Sequence, residues 1–336
     1  GLSATVSNSE EFGDWLSTVR GDTTVIVSEH RPVPLDQWMM LGRKIYPLFE
    51  PESGGQVNSE LERRIQRLEA GDTDDGRADY KSGKGFRARA RHKGGGRSEF
   101  HGKGKGRSGA ARQQDRYRPL GRPEVLKVLQ SQDMLPAITF IFSRAGCDGA
   151  LYQCLRSRMV LTSQEEAQQI KDIVDAGVEG IPEEDLQVLD FKRWREALSR
   201  GFAAHHAGML PAFRHIVEDL FVRGLVRAVF ATETLALGIN MPARTVVLEK
   251  LIKFNGEAHV DLTPGQYTQL TGRAGRRGID TLGNAVVQWA PAMDPRQVAG
   301  LASTRTYPLI STFAPGYNMA INLLGMLGFE ESLRLL

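Results

Sequence analysis

The segment Gln269-Leu270-Thr271-Gly272-Arg273-Ala274-Gly275-Arg276-Arg277-Gly278-Ile279-Asp280 places three arginines among closely spaced glycines. Glycines let a backbone turn tightly and approach a ligand, while the guanidinium groups of such a turn can point to one place. Planar, permanently charged guanidiniums suit a polyphosphate, which they meet with paired hydrogen bonds. A short pattern of this kind also fits a turn that binds nothing, so the rest of the chain has to distinguish the two.

Around this segment, buried strands alternate with amphipathic helices. Apolar runs of strand length occupy residues 137–142, 226–231, 245–248 and 285–289, and a helix that begins at Pro211 carries its apolar residues on one stripe. This alternation predicts an α/β fold in which helices flank a parallel sheet.

Composition and chain ends limit the classes of protein to consider. The chain has 336 residues, 41% of them hydrophobic, which is enough for more than one domain with a real core. No apolar run approaches the ~20 residues of a membrane-spanning helix, and no signal-peptide pattern opens the chain. We therefore expect a cytoplasmic protein without membrane contact. Because the chain begins at Gly1 and ends abruptly at Leu336, we interpret it as an internal fragment.

The two cysteines are predicted to be core residues. Cys147 and Cys154 lie seven positions apart on a predicted helix, on the same face as Leu151 and Leu155. This spacing is typical of small apolar side chains in a core rather than of a metal or redox site. Two cysteines used as core residues fit a protein of a reducing compartment.

Positive charge is concentrated in one part of the chain. Residues 76–118 hold fourteen Lys/Arg, three Asp/Glu and ten glycines, a local charge of +11. Since the whole chain carries +3, the remaining residues carry −8. We interpret residues 51–118 as a polar and then basic, largely disordered insertion. It is either an arm that binds nucleic-acid backbones, which we favour, or an inert linker.

Polar residues follow two of the predicted strands, where the ligands of open α/β sheets gather. Ser143 and Arg144 open a helix, whose N-terminus suits a phosphate, although an N-cap serine beside a solvated arginine is the alternative. The hydroxyls of Thr232 and Thr234 could meet a nucleic-acid backbone, although a capped helix and a turn would look the same.

Two further groups of residues belong to the same pattern. Gly238 and Asn240 make a tight, polar approach that suits a nucleotide. Adjacent His205 and His206 are poorly placed to bind one metal ion together, and no Cys or carboxylate cluster supports a metal site, so we predict none. We expect the histidines to be structural or to face nucleic acid.

Taken in order, these segments resemble the motifs of superfamily 2 helicases of the superkiller-type branch, most closely of its bacterial members. They are Ser3-Ala4-Thr5, Ile141-Phe142-Ser143-Arg144, His205–Pro211, Thr232–Pro242 and Gln269–Asp280, which are similar to motif III, motif IV, a branch signature, motif V and motif VI. Residues 317–324 look like the segment that enters the winged-helix domain of that branch. The resemblance covers nearly the whole chain except the basic insertion.

The resemblance implies an ATP-dependent helicase or translocase, a monomeric motor on single-stranded or partly duplex RNA, possibly DNA. ATP would lie between two RecA-like domains, with Mg²⁺ held mainly by the first. The implied site residues are Arg276, Arg273 and Gln269 for catalysis, Gly238 and Asn240 beside the nucleotide, Ser143, Arg144, Thr232 and Thr234 for the nucleic-acid backbone, and Ser3 and Thr5 for domain coupling.

The implied organisation has four segments. Residues 1–50 would end the first RecA-like domain and form a linker, in which the two prolines of residues 30–35 indicate extended linker or edge strand. Residues 51–118 form the insertion, residues 119–291 the whole second RecA-like domain, and residues 292–336 the start of a winged-helix or helical domain.

The chain departs from the family in its phosphate-binding half. It contains no G-x-x-x-x-G-K-[ST], and no Asp-Glu box precedes Ser3. We therefore expect no ATP hydrolysis or unwinding from this chain alone. The alternative, from another class, is a non-catalytic nucleic-acid-binding scaffold that retains a RecA-like fold.

Deletion of residues 76–118 should weaken the binding of single-stranded RNA or DNA at low salt, because the tract releases counterions from the phosphates that it neutralises. For each phosphate of a single strand that the deletion leaves unneutralised, the slope of log affinity against log salt should become shallower by about 0.7. Binding measured at several salt concentrations for both proteins checks this expectation. An unchanged slope would identify the tract as an inert linker.

Overall fold

The computed structural model describes residues 9–26, 31–51, 55–70, 117–236, 241–254, 256–304 and 314–335. Its strands are β1 (Leu35–Leu41), β2 (Lys44–Pro47), β3 (Ala137–Phe140), β4 (Phe202–His205), β5 (Ala228–Ala231), β6 (Thr245–Leu248), β7 (Ile252–Phe254), β8 (His259–Asp261) and β9 (Gly283–Gln288). Its helices are α1 (Ser9–Arg20), α2 (Ser59–Glu69), α3 (Arg122–Ser131), α4 (Arg144–Arg156), α5 (Gln164–Gly177), α6 (Glu183–Val188), α7 (Phe191–Ser199), α8 (Pro211–Val222), α9 (Pro264–Thr271), α10 (Pro295–Ser303), α11 (Tyr317–Leu327) and α12 (Phe329–Leu335). A 3-10 turn spans Glu233–Ala236.

The chain divides into two compact units, Gly1–Ser28 with Arg305–Leu336, and Glu29–Thr304. In the first unit, α1 is followed by a short segment in which Val25 lies against Gly13, and α11 is followed directly by α12. Residues 292–336, predicted as the start of a winged-helix or helical domain, contain α10, α11 and α12, of which α11 and α12 lie in this unit. Their assignment to a winged-helix domain stays a prediction.

The second unit is built on a mostly parallel sheet. Within its described residues, seven strands pair in the order β2-β1-β9-β6-β3-β5-β4. The pair β1–β2 is antiparallel, and the other neighbours in this sheet are parallel. Parallel strands need long crossover connections, which the helices between β3 and β9 provide. The predicted α/β fold, a parallel RecA-like sheet flanked by helices, is confirmed.

Residues of each central strand alternate between two apolar cores. Ile138 and Phe140 of β3 face the core that contains α5, α7, α8 and α9, while Ala137 faces the core that contains α3 and α4. Both faces of the sheet are thereby buried, as parallel sheets require. The predicted apolar stripe of α8 is buried in the first of these cores.

The cysteines lie where the sequence predicts. Cys147 and Cys154 are buried on α4, and Leu151 beside them is buried as well. Burial raises the pKa of both thiols to about 12, so they remain protonated at neutral pH. They act as small apolar side chains.

The sheet contains two strands that the sequence interpretation did not include. Residues 35–47, expected in a linker region, form β1 and β2, and β1 pairs with β9 from Leu35↔Gly283 to Met40↔Gln288. The next helix, α2, also belongs to this unit, since Leu61 and Ile65 are buried in the first core. Except for its last two residues, Tyr117 and Arg118, the basic tract lies outside the described residues. The domain boundaries of an intact protein stay a prediction.

No helix in the described ranges is both long and apolar enough to cross a membrane.

Gly283→Ala should lower the free energy of unfolding by about 1–3 kcal/mol, because a Cβ there would meet backbone atoms that cannot rotate away. It would lie 2.8 Å from the carbonyl carbon and oxygen of Ala274 and from the amide nitrogen of Gly275. Gly300→Ala is the matched control: nothing lies within 4 Å of its added Cβ, and it sits within α10. The control should raise stability by up to about 1 kcal/mol. Urea denaturation of the two variants measures both effects, and equal stabilities would contradict the close packing at Gly283.

Candidate nucleotide and nucleic-acid site

Helix α9 leads directly into residues 272–280, which we call the arginine turn. Thr263 and Gln266 form a capping box at its start, in which each side chain accepts a hydrogen bond from the backbone N–H of the other. Pro264 occupies the first turn, where its missing N–H is not needed. Buried Tyr267 anchors the helix in the core. Gln269 lies half-buried on the last turn, four positions before Arg273, one of the arginines that it is predicted to position.

Backbone hydrogen bonds fix the turn that follows α9. The amide of Gly275 donates to the carbonyl of Ala243 (2.7 Å), and the amide of Ala243 donates to the carbonyl of Arg273 (2.9 Å). Gly275 has φ +88°, and a Cβ there would lie 2.7 Å from Val33 Cγ1. A left-handed backbone and a crowded position both require glycine here. The arginine backbone is therefore held in one place.

Arg276 is bound to the buried carboxylate of Asp280. Its Nε and Nη2 donate to Asp280 Oδ2 and Oδ1, both at 2.8 Å, and its own amide donates to Oδ2 at 2.9 Å. Arg244 Nε donates to Oδ1 as well (3.0 Å). Burial alone would raise the pKa of Asp280, but the hydrogen bonds from Arg276 and Arg244 outweigh it and lower this pKa to about 2.

Arg273 points to a different part of the site. Its Nη2 donates to the carbonyl of Ala236, the last residue of the 3-10 turn after β5. Burial lowers the pKa of this guanidinium. Arg277, which follows Arg276 in the chain, is exposed. The motif-like arginines thus have three different environments.

Arg31 is a site residue that sequence reasoning did not identify. Its Nη2 donates to the carbonyl of Ala274 (2.6 Å) and its Nε to the carbonyl of Val33 (2.8 Å), so it ties the turn to the chain segment before β1. Burial lowers the pKa of Arg31. The contact spans 243 positions in sequence, and no local pattern signals it.

Ser143 and Arg144 lie at the carboxyl end of β3. Ser143 Oγ accepts a hydrogen bond from the amide of Gly146 (3.1 Å), so this residue is the N-cap of α4, as one of its two interpretations predicts. Both side chains are exposed at the helix N-terminus. Capping leaves the positive end of the helix accessible, so the structure is compatible with a phosphate at this point.

Thr232 and Thr234 follow the neighbouring strand β5 at the same edge of the sheet. Their hydroxyls bond each other (2.9 Å), and the amide of Thr232 donates to the carbonyl of His205 (3.2 Å). Between the threonines, Glu233 accepts a hydrogen bond from Lys253 of β7 (2.6 Å). The segment after β5 is therefore bonded to β4 and to the β7–β8 hairpin.

The two histidines are held by carboxylates. Buried His205 Nε2 lies 2.8 Å from Glu218 Oε1, and His206 Nε2 lies 3.1 Å from Asp148 Oδ1. The amide of Gly208 donates to His206 Nδ1 (3.2 Å), which leaves Nε2 as the donor to Asp148. Burial lowers the pKa of His205 more than Glu218 raises it. Both histidines have structural partners.

Several predicted residues lie outside the described ranges, namely Ser3, Thr5, Gly238 and Asn240. Among the residues that are described, no group of three or more His, Cys, Asp or Glu is arranged to hold a metal ion.

The structure separates the predicted site residues into two groups and links them. Ser143, Arg144, Thr232 and Thr234 lie at the carboxyl edge of the sheet, while the arginine turn lies at the amino end of β6 and β9. Arg273 joins them through the carbonyl of Ala236. Donor-rich guanidiniums on a fixed backbone have the chemistry that a triphosphate requires.

Comparisons with known proteins identify helicase sequence throughout. Residues 180–278 match the helicase conserved C-terminal domain. The chain is 58% identical over its whole length to the probable helicase HelY of Mycobacterium tuberculosis, and covers 34% of that protein. It is 36% identical to a chloroplastic DExH-box ATP-dependent RNA helicase of Arabidopsis thaliana, over 96% of the chain and 27% of the relative. It is 30% identical to the human exosome RNA helicase MTR4, over 96% of the chain and 28% of the relative.

The chain therefore spans about a third or less of the length of these relatives. Similarity over the whole chain to HelY-type helicases, and more distantly to DExH-box RNA helicases, confirms the resemblance to the superkiller-type branch of superfamily 2 helicases that the sequence indicates.

Proposed function

We propose that this chain provides the second motor domain of an ATP-dependent RNA helicase. The observation that carries the proposal is Arg276, whose guanidinium is fixed by a buried carboxylate at the surface of a rigid glycine turn. A positioned, partly exposed arginine is what a phosphoryl-transfer site needs to stabilise developing charge. The helicase relatives support this choice over other phosphate chemistries.

In the proposed enzyme, Arg276 and Arg273 donate hydrogen bonds to the γ-phosphate of ATP, and Gln269 helps to position them. Gly238 and Asn240 border the nucleotide, while Mg²⁺ belongs mainly to the first RecA-like domain. Bound ATP supplies the phosphoryl group whose transfer drives movement. The contribution of this domain is to place two cations against the charge that builds on that group.

The nucleic-acid contacts of the proposed enzyme lie at the carboxyl edge of the sheet. Ser143, Arg144, Thr232 and Thr234 hold the backbone of single-stranded or partly duplex RNA, possibly DNA. Contacts to phosphates carry no sequence information, so such a motor moves regardless of sequence. Two relatives are named RNA helicases, which favours RNA. We further propose a monomeric, cytoplasmic motor in which Ser3 and Thr5 couple the two domains.

A non-catalytic scaffold that binds nucleic acid with the same fold is the rival function. It would keep the carboxyl-edge contacts and have no use for an oriented arginine at the turn. The two proposals therefore differ in what Arg276 does.

Arg276→Ala in the intact helicase should reduce nucleic-acid-stimulated ATP turnover by at least about a hundredfold, with a much smaller loss of ATP affinity. The guanidinium acts mainly on charge that develops in the transition state, so it affects kcat more than binding. Steady-state ATPase assays and nucleotide titrations measure the two quantities. The present chain alone should show no ATPase activity above background.

Arg223→Ala is the matched control, since Arg223 forms an exposed ion pair with Asp219 on α8, outside the proposed site. It should leave turnover unchanged. Near-normal turnover of Arg276→Ala would favour the scaffold, and equal losses of binding and turnover would make Arg276 a ground-state contact.

Thr232→Val should weaken RNA binding by about 0.5–3 kcal/mol, because it keeps the side-chain shape and removes the hydroxyl that, on the proposed function, bonds the RNA backbone. The loss should be similar for unrelated sequences. Thr304→Val removes a hydroxyl that donates, from the C-cap of α10, to the carbonyl of Gly300, and it should leave binding unchanged. Fluorescence anisotropy with two unrelated RNAs tests this role. A loss confined to one RNA, or none, contradicts it.

A further inference from the structure

The carboxylate of Asp280 is the most completely bonded charged group at the site. Its two oxygens accept four hydrogen bonds: three come from the side chain and amide of Arg276, and one comes from Arg244. A carboxylate offers about four lone-pair sites, so its capacity is filled. The Asp280 side chain is only 1% exposed. The carboxylate therefore has no capacity left for a ligand, and its effect must pass through the two arginines.

Asp280 binds one edge of the Arg276 guanidinium and leaves the other edge unbonded within the described part of the chain. Nε and Nη2 are used by Asp280, and Nη1 makes no hydrogen bond within the described part of the chain. The side chain keeps 19% of its surface exposed. Because Asp280 also accepts a hydrogen bond from the backbone amide of Arg276, the carboxylate holds this residue at its main chain as well as at its guanidinium. The orientation of the guanidinium, and with it that of its unbonded edge, is thereby fixed.

Arg244 offsets the charge of Asp280. A lone Arg276–Asp280 pair would be neutral and would exert little field on a phosphate. Arg244 shares the same carboxylate, so the three groups together carry one positive charge. The other partner of Arg244, Asp133, is 96% exposed, and solvent screens its charge.

We propose that Asp280 and Arg244 are positioning residues for Arg276. Asp280 orients the Arg276 guanidinium, and Arg244 compensates the negative charge of Asp280, so that the group as a whole stays positive. This inference rests on the proposed function, since it requires a phosphate opposite Arg276. Preorganised donors avoid the cost of reorientation when charge develops, which is why an aimed arginine is more effective than a mobile one.

The test is a double-mutant cycle in the intact helicase, with kcat and KM for ATP measured at saturating RNA. Asp280→Asn keeps the shape and removes the charge that aims Arg276. It should lower kcat by about tenfold to a hundredfold while KM for ATP changes by less than about threefold. In the Arg276→Ala background, Asp280→Asn should cause no further loss, because it acts through Arg276.

Arg244 is tested by two substitutions. Arg244→Met should lower kcat several-fold, and Arg244→Lys should restore most of the loss, since lysine keeps the charge beside Asp280. Asp219→Asn, in the exposed pair on α8, is the matched control and should leave kcat unchanged. Thermal denaturation of each variant identifies any that fails to fold, and kcat is then taken from active-site titration.

Three outcomes overturn the inference. Equal losses from Asp280→Asn with and without Arg276 would show a purely structural role. A rise in turnover would show that Asp280 restrains Arg276 instead of aiming it, and failure of lysine to replace Arg244 would exclude the charge effect. If Arg276→Ala itself keeps near-normal turnover, the proposed function fails first, and the cycle shows this separately.

Discussion

The arginine turn lies so close to strand β9 that only a hydrogen atom fits at Gly283, between the strand and the backbone of Ala274 and Gly275. The amide of Gly283 donates to the carbonyl of Pro34, and that of Gly275 donates to the carbonyl of Ala243. The turn is thus bonded to one neighbouring segment and packed on another. Every side chain that it presents depends on this contact, since a shift of the backbone would move all of them together.

Connections between the two groups of site residues are short. Four residues lead from Thr232 to Ala236, whose carbonyl accepts the hydrogen bond of Arg273. Directly after Thr232 on this path, Glu233 is paired with Lys253, which is only 14% exposed and belongs to the β7–β8 hairpin. On the proposed function, a displacement of the nucleic-acid backbone at Thr232 has a direct mechanical route to an arginine at the nucleotide.

Sequence reasoning identified what depends on local pattern. The strands at β3, β5 and β6, the stripe of α8 and the buried cysteines follow from apolar periodicity, which is set within a few residues. It did not identify β1 as part of the sheet, because pairing with β9 depends on residues almost 250 positions away. The same reason explains why the roles of Arg31 and Arg244 were not identified, since their partners are distant in sequence. Asp280 ends the arginine segment, but its role could not be predicted, since its burial is a tertiary property.

The chain leaves the folded unit after α2 and returns to the same unit before α3. Leu61 of α2 is buried in the core, and the ring of Tyr117 packs edge-on to Trp289 with centroids 4.7 Å apart, so both ends of residues 71–116 are fixed to one folded unit. The entropic cost of connecting two fixed points by a stretch of chain rises only with the logarithm of its length, by about 0.6 kcal/mol for each doubling. The length of this segment can therefore change in evolution with little effect on the stability of the sheet that carries it.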